Sequence, residues 1–201
     1  MRHYCDKCHY PATTCVCDAI KQIHSPVQLI ILQHAKETAH AKNTARLVKL
    51  CIPDTQIIQA SGELQSDVAT LNRIITDKRC ALIYPSEDSQ PIEEKTSWKN
   101  LSTAPEVLLF IDASWKQAHG MYKSIPTLQS LPAIHFQCAP SSEYEIRHTS
   151  LSYSLSTLEA VKYCLETGWG ISAAALTDAQ AKLISHWQGP LHHRRVKTER
   201  S

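Results

Sequence analysis

The hydrophobic residues of this chain fall into short continuous runs separated by longer segments with a helical repeat. The apolar runs predict four buried strands, at residues 27–33, 80–85, 106–111 and 132–137. Apolar residues that recur every three or four positions predict five helices, at 34–51, 64–77, 114–124, 156–168 and 171–188. Residues 86–105 are polar and contain proline, which predicts a loop. Strands that alternate with helices predict an α/β domain with a mainly parallel sheet.

Three of the predicted strands end at a polar or aromatic residue, at Gln33-His34, Tyr84-Pro85 and Ile111-Asp112. In open parallel sheets, ligands bind beyond the carboxyl ends of the strands. We therefore expect these three strand ends to converge on one crevice and to form the active site.

Asp112 stands where the third strand ends and a helix begins, and the usual role of such an aspartate is to cap the helix. Ser114 and Gln117, however, have the spacing of a capping box of their own. Asp112 is then available to accept a proton or to hold a polar group of a ligand. Trp115 fits two interpretations, a core residue or a surface on which a nucleobase stacks.

Ser156 and Glu159 form a second capping box, and Gly168 suits the far end of the helix that follows. An ordinary, well-capped helix explains this pattern completely. An anion or carboxylate site at the helix N-terminus explains it equally well, because the free amides there point outward.

The chain has 201 residues, of which 43% are hydrophobic, enough for one domain with a substantial core. No apolar run approaches the ~20 residues that a membrane-spanning helix needs. The amino-terminal sequence MRHYCDKCHY has no apolar signal segment. These features predict a cytoplasmic protein.

The formal net charge is only +2, so evidence for a polyanionic partner must come from local clusters. Lys42, Arg46 and Lys49 have helical spacing, for which a solvated helix face is the default interpretation. Arg147 and the basic tail at 191–201 add positive charge. Together these clusters favour a phosphate-bearing partner.

Four of the eight cysteines lie close together near the amino terminus, in the pattern C-x2-C-x6-C-x-C formed by Cys5, Cys8, Cys15 and Cys17. Clustered thiols in a reducing compartment bind metal more often than they form disulfides. Four thiolates with no open position predict a structural Zn²⁺ site, against free thiols in an arm or a redox or iron–sulfur site. The remaining cysteines are predicted to be buried, inert thiols: Cys51, Cys80, Cys138 and Cys164.

Six segments of the chain, in this order, resemble the DTW-domain family, named for an Asp-x-Thr-Trp motif: CDKC…CVC, IILQHAKETAHAKNTARL, LIYP, IDASWKQA, YEIRH and LSTLEAV. The resemblance runs from Cys5 to about Leu165 and is greatest to the bacterial tRNA-uridine aminocarboxypropyltransferases. Two departures occur. Ser114 replaces the usual threonine but keeps a hydroxyl, and Ala35 replaces the proline of the family's His-Pro-x-Glu.

The resemblance implies a SPOUT-like α/β domain with a trefoil knot and a mainly parallel sheet, plus a small N-terminal zinc-binding module. The expected division is a four-cysteine module at 1–24, the DTW transferase domain at 25–190 and a basic tail at 191–201. The implied reaction transfers the 3-amino-3-carboxypropyl group of S-adenosylmethionine (SAM) to N3 of a uridine in tRNA. Methylthioadenosine is the second product.

The resemblance also implies roles for individual residues. Asp112 is expected to remove the N3 proton, and Trp115 to stack on the base or wall the pocket. Three loops are expected to hold SAM, through Leu82, Tyr84, Pro85, Phe110, Ile111, Ser154, Leu155, Ser156 and Thr157. Arg147 is expected to pair with the SAM carboxylate or with an RNA phosphate. The expected RNA contacts are Lys36, Lys42, Arg46, Lys116, Arg194 and Arg195.

Three other functions fit parts of the sequence. A SPOUT-class RNA methyltransferase would release S-adenosylhomocysteine instead of methylthioadenosine. An aminocarboxypropyltransferase could instead act on ribosomal RNA. A zinc-containing RNA-binding module without catalysis would bind no SAM and would leave the IDASW and LSTLEAV matches unexplained.

Overall fold

The computed structural model describes residues 3–38, 42–60, 65–94, 104–144 and 155–187. The strands in these ranges are β1 (Gln28–His34), β2 (Gln56–Ala60), β3 (Cys80–Ile83), β4 (Gln90–Pro91), β5 (Val107–Asp112) and β6 (Ala133–His135). The helices are α1 (Ala35–Thr38), α2 (Thr44–Cys51), α3 (Gln65–Ile75), α4 (Trp115–Ser124), α5 (Pro126–Ser130), α6 (Thr157–Trp169) and α7 (Ala174–Ser185). Short 3-10 turns span Ala12–Thr14, Cys17–Ala19 and Ile92–Glu94.

The six strands form one sheet in the order β2-β1-β5-β3-β6-β4, and all the paired neighbours are parallel. This confirms the predicted α/β class and parallel sheet. Because the strands are parallel, all their carboxyl ends lie at one edge. The central strands β1 and β5 end level with each other, since Gln33 pairs with Asp112.

Helices cover both faces of the sheet, which explains why the central strands are almost continuously apolar. Along β1, Leu29 and Ile31 pack with α2, α6 and α7 in one cluster. Ile30 and Leu32 point the other way and pack with α3, α4 and α5 in a second cluster. Asp112 lies two residues after Phe110, at the carboxyl end of β5. Because side chains alternate along a strand, Asp112 points to the same face as Phe110, the face covered by α6.

The amino-terminal residues pack onto the α6 and α7 side of the sheet. Cys8, Tyr10 and Val16 are fully buried in the same cluster as the β1 residues. Exposed ion pairs join this region to α7, from Lys21 to Asp178 at 3.1 Å and from Lys182 to Asp18 at 2.7 Å. Such exposed pairs add little stability, so buried packing holds the region in place. The division at residue 24 stays a prediction.

The single helix predicted at 34–51 is wrong. Strand β1 continues to His34, α1 is one turn long, and α2 begins only after Asn43. The Asn43 side chain accepts a hydrogen bond from the Arg46 amide at 3.0 Å and so caps α2. Asparagine is a preferred N-cap, and here this local signal overrides the helical repeat of the longer segment.

Other elements also differ from the sequence prediction. The pattern gave no strand at β2, an edge strand with exposed residues at alternate positions. The helix α5 was also missed, and the predicted loop at 86–105 contains β4 in its described part. Cys138 is exposed and not buried as predicted, whereas Cys51, Cys80 and Cys164 are buried. No helix in the described part of the chain is long and apolar enough to cross a membrane.

Candidate functional site

Asp112 is the last residue of β5, and it is only 3% exposed at the carboxyl edge of the sheet. Its Oδ1 accepts a hydrogen bond from the Thr157 hydroxyl at 2.5 Å, and its Oδ2 accepts one from Gln33 Nε2 at 2.7 Å. The carboxylate thus joins β5 to the end of β1 and to the first residue of α6. Each oxygen keeps a second acceptor position, so the group is fixed in orientation and can still receive a proton.

The helix after Asp112 does not need the aspartate as a cap. Gln117 Oε1 accepts hydrogen bonds from the Ser114 amide at 3.0 Å and from the Ser114 hydroxyl at 2.7 Å. The contact between Ser114 and Gln117 is the one that the sequence pattern predicts. Because this contact caps the helix, the Asp112 carboxylate can bond to Gln33 and Thr157 instead.

The second predicted capping box also forms, at the start of α6. Ser156 accepts from the Glu159 amide at 3.3 Å, and the Glu159 carboxylate accepts from the Ser156 amide at 2.7 Å. Glu159 accepts a further hydrogen bond from the Glu143 amide at 2.7 Å, so it also anchors the segment before residue 145. The predicted C-cap glycine was wrong, because α6 runs through Gly168 and ends at Gly170 with φ of 67°.

Aromatic and imidazole side chains lie at the same carboxyl end of the sheet, on the face covered by α4. His34 Nδ1 accepts a hydrogen bond from the Lys36 amide at 3.2 Å. The Tyr84 hydroxyl lies 3.3 Å from His119 Nδ1 of α4. Trp115, at the start of α4, is 43% exposed and lies three residues after Asp112 in the chain.

The residues expected to hold SAM have different surroundings. Leu82 and Phe110 are core residues, buried on opposite faces of the sheet, whereas Tyr84 and Ile111 lie at the edge itself. Pro85 is exposed, Leu155 is half-buried, and Ser156 and Thr157 are buried at the start of α6. Arg147 and Ser154 lie outside the described residues, as do Arg194 and Arg195.

Two of the cations expected to contact RNA are engaged within the protein. The Lys42 ammonium lies 3.5 Å from the centre of the Trp187 ring, and burial lowers the pKa of Lys42. The Arg46 guanidinium donates to the carbonyl oxygens of His9 at 2.7 Å and Thr38 at 3.3 Å. Lys36 and Lys116, in contrast, are exposed.

Replacing Arg46 with lysine keeps the charge but loses the two-pronged contact to His9 and Thr38. We expect the free energy of unfolding to fall by about 1–2 kcal/mol, the range of hydrogen bonds from a charged group at a half-exposed position. Urea denaturation of the variant and the native protein measures this difference. Unchanged stability together with weaker tRNA binding would instead assign Arg46 to the RNA.

The four amino-terminal cysteines converge on one point. Their sulfur atoms all lie within 4.8 Å of one another, with Cys5 to Cys17 at 3.6 Å and Cys8 to Cys15 at 3.7 Å. A tetrahedron of thiolates around Zn²⁺ with bonds of about 2.3 Å has edges of about 3.8 Å. Within the described residues, no other group of three or more metal-binding side chains is close enough to share an ion.

The electrostatics of the cluster also fit a metal. Hydrogen bonds from the backbone of Cys8 and Lys7 lower the pKa of Cys5 to about 6, which favours the thiolate. Burial, followed by the neighbouring sulfur atoms, raises the pKa of Cys17 to about 12. A divalent cation at the centre removes this conflict, because it stabilises all four thiolates together.

The cysteine cluster is connected to the sheet edge through neighbouring contacts. The Tyr10 hydroxyl donates to the Asn43 carbonyl, and the Asn43 amide donates to the Glu37 carbonyl at 3.1 Å. Glu37 lies in α1, directly after the end of β1. Sequence reasoning missed Tyr10 as a connecting residue. It noted Gln33 only as the end of a strand. The signal that could have identified Gln33 as a site residue is that it is a polar residue at the end of an apolar run.

Comparison with known proteins finds similarity over most of the chain. A family model described as the DTW domain matches residues 2–186. The chain is 33% identical over 196 residues to tRNA-uridine aminocarboxypropyltransferase 2 of Drosophila melanogaster, which covers 95% of this chain and 73% of that protein. It is 26% identical over 190 residues to tRNA-uridine aminocarboxypropyltransferase A of Arabidopsis thaliana, covering 82% of this chain and 72% of that protein. No solved structure matches the chain.

Proposed function

The chain belongs to the DTW domain family, and from this we propose that it transfers the 3-amino-3-carboxypropyl group of SAM to N3 of a uridine in tRNA. The observation that carries the proposal is the likeness, over 95% of the chain, to a protein named for this reaction. The geometry agrees, since a buried carboxylate and an exposed tryptophan lie at the sheet edge where ligands of such folds bind.

In the proposed reaction, uridine N3 attacks the terminal carbon of the methionine chain, the carbon bonded to sulfur. The new N–C bond forms while the C–S bond breaks, and the electron pair stays on sulfur to give methylthioadenosine. The protein selects this carbon over the methyl group by holding it in line with N3. The proton on N3 must leave, and we assign Asp112 as its acceptor.

Gln33 and Thr157 act as positioning residues for this step. Each donates a hydrogen bond to one oxygen of Asp112, and together they fix the orientation of the carboxylate. The sulfonium charge of SAM next to N3 favours the anionic form of the uracil ring. Trp115 supplies the surface on which the base stacks once it leaves the RNA stack.

The SAM subsite is proposed at the strand ends Leu82–Pro85 and Phe110–Asp112 together with residues 154–157. In support, Ser156 and Thr157 begin α6, whose positive end suits the methionine carboxylate.

Lys36 and Lys116 are the proposed RNA contacts among the described residues. A structural Zn²⁺ is proposed at the four cysteines, and a cytoplasmic location suits their reduced state.

The knotted SPOUT topology is also kept as a proposal. In support, β5 lies between β1 and β3, which precede it in the chain, and β6 lies between β3 and β4. A threaded chain requires a late strand to insert between earlier ones, and unknotted parallel sheets share this order.

Mass spectrometry of the products tests the reaction directly. The purified protein is incubated with SAM and unmodified tRNA. We expect methylthioadenosine and a uridine that has gained the aminocarboxypropyl mass. S-adenosylhomocysteine with a methylated nucleoside would replace the proposal by a methyltransferase, and modification of ribosomal RNA alone would change the substrate.

A further inference from the structure

One side of α4 carries a row of ring-bearing side chains that begins next to the proposed active site and is half-buried against the core at Tyr122. Trp115, His119 and Tyr122 are four and three residues apart and therefore share one side of the helix. Trp115 is 43% exposed, and His119 is exposed as well. The Tyr84 ring extends the row towards β3, because it stacks on Tyr122 with 4.6 Å between ring centres.

A second row runs beside the first and carries positive charge. Lys116, Gly120 and Lys123 have the same four- and three-residue spacing, and both lysines are exposed. Within the described residues neither lysine forms an ion pair with a carboxylate. The helix itself contains no acidic residue.

Gly120 has no structural reason to be glycine in the folded chain. A Cβ atom built at this position meets no heavy atom within 4 Å, and its backbone conformation is not left-handed. Glycine in the interior of a helix costs stability relative to alanine. The missing side chain leaves bare backbone between the two lysines, where another chain can approach closely.

We propose that the α4 face binds single-stranded RNA next to the target uridine; this face consists of Trp115, Lys116, His119, Gly120, Tyr122 and Lys123. A nucleobase stacks on the aromatic row, and the sugar–phosphate backbone lies over Gly120 between the two lysines. The inference rests on the proposed function, which supplies an RNA substrate.

Two physical arguments select RNA as the occupant. Aromatic rings and lysines in adjacent rows match the two surfaces of a single strand, its bases and its phosphates. Moreover, a uridine must leave its stack before N3 is accessible, which deprives the neighbouring base of a partner. Trp115 stacks on the target base, and the exposed His119 ring beyond it offers the neighbouring base a new stacking surface.

The variants Gly120→Ala and Lys116→Gln/Lys123→Gln test the proposal through tRNA binding measured without SAM. For Gly120→Ala we expect Tm to rise by about 2–3 °C. Its Kd for tRNA should rise by about fivefold, because the methyl group holds the RNA backbone away from the helix. For the double lysine variant we expect the slope of log Kd against log salt to fall by about 1.4, since each lost contact to single-stranded phosphate removes about 0.7.

Lys78→Gln is the matched control, because Lys78 is exposed but lies before β3, at the opposite edge of the sheet. It should leave the Kd and the salt slope unchanged. Two results would refute RNA binding by the α4 face. One is a Gly120→Ala protein that is more stable and binds tRNA with native affinity, and the other is an unchanged salt slope in the double lysine variant. Failure of the proposed function can be told apart from failure of this inference. If the proposed function is wrong, the native protein forms no aminocarboxypropyluridine, but the tRNA affinities of the variants can still be compared.

Discussion

Asp112→Asn should lower the rate of aminocarboxypropyl transfer by about a thousandfold while the protein stays folded. The loss is that of a positioned general base, which contributes about 10²- to 10⁴-fold. The asparagine is nearly isosteric, and both of its polar atoms can be satisfied: either the Gln33 amide turns over to accept from it or the Thr157 hydroxyl rotates to accept, while the other partner still donates. Single-turnover rates at saturating SAM and tRNA isolate the chemical step from binding.

Asp112→Ala separates the chemical role from the structural one. It leaves the Gln33 amide and the Thr157 hydroxyl without their acceptor, and each such buried donor costs about 1–3 kcal/mol. We therefore expect this variant to be inactive and less stable, whereas Asp112→Asn loses most of its activity and is nearly as stable as the native protein. The Kd for SAM, measured by calorimetry, should stay within a few-fold in the asparagine variant.

Thr157→Val provides the matched control for positioning. It keeps the shape of the side chain but removes one of the two donors to Asp112. A positioning role predicts a partial loss of rate, smaller than that of Asp112→Asn. Full activity in Asp112→Asn would end the assignment of Asp112 as the base and leave it as a link between β1, β5 and α6.

The sequence was sufficient to predict which strand ends lie together, because strong local signals agreed with the fold. The apolar runs that became β1, β3 and β5 each end in a polar or aromatic residue, and parallel strands bring those ends to one edge. The spacing of the cysteines likewise predicted the cluster that the structure forms. These signals depend only on neighbouring residues, so no knowledge of the tertiary fold was needed.

The contacts within the site could not be predicted in the same way. Gln33 and Asp112 are 79 residues apart, and they meet only because β1 lies beside β5 in the sheet. Thr157 reaches Asp112 because α6 packs on that face. No periodicity in the sequence encodes either the strand order or the packing of a helix that follows much later.

The basic residues show the same limit. Helical spacing placed Lys42 and Arg46 near each other but did not show what would cover them. In the structure, Lys42 meets Trp187 and Arg46 meets the backbone of His9, both far away in the chain. Both cations therefore make contacts within the fold that their helical spacing could not predict, and their contact with RNA stays a prediction.

Removal of the proposed zinc should have the largest effect on stability of any change considered. We expect Cys8→Ser to lower the free energy of unfolding by more than about 4 kcal/mol, as for other losses of a metal site. For a chain of this size, such a loss lowers Tm by about 10 °C or more. The reason is that Cys8 is fully buried with Tyr10 and Val16 in the cluster that contains the β1 residues. Loss of the ion therefore disturbs the main core and not an isolated arm.

Cys138→Ser is the matched control, because Cys138 is an exposed cysteine outside the cluster. Elemental analysis should find one zinc per chain in the native protein and in this control, and much less in Cys8→Ser. Chelation of the native protein should reproduce the drop in Tm, and added Zn²⁺ should reverse it. Because Tyr10 and Asn43 connect the cluster to α1 at the sheet edge, SAM binding should weaken along with stability. Native zinc content and an unchanged Tm in Cys8→Ser would refute the metal site.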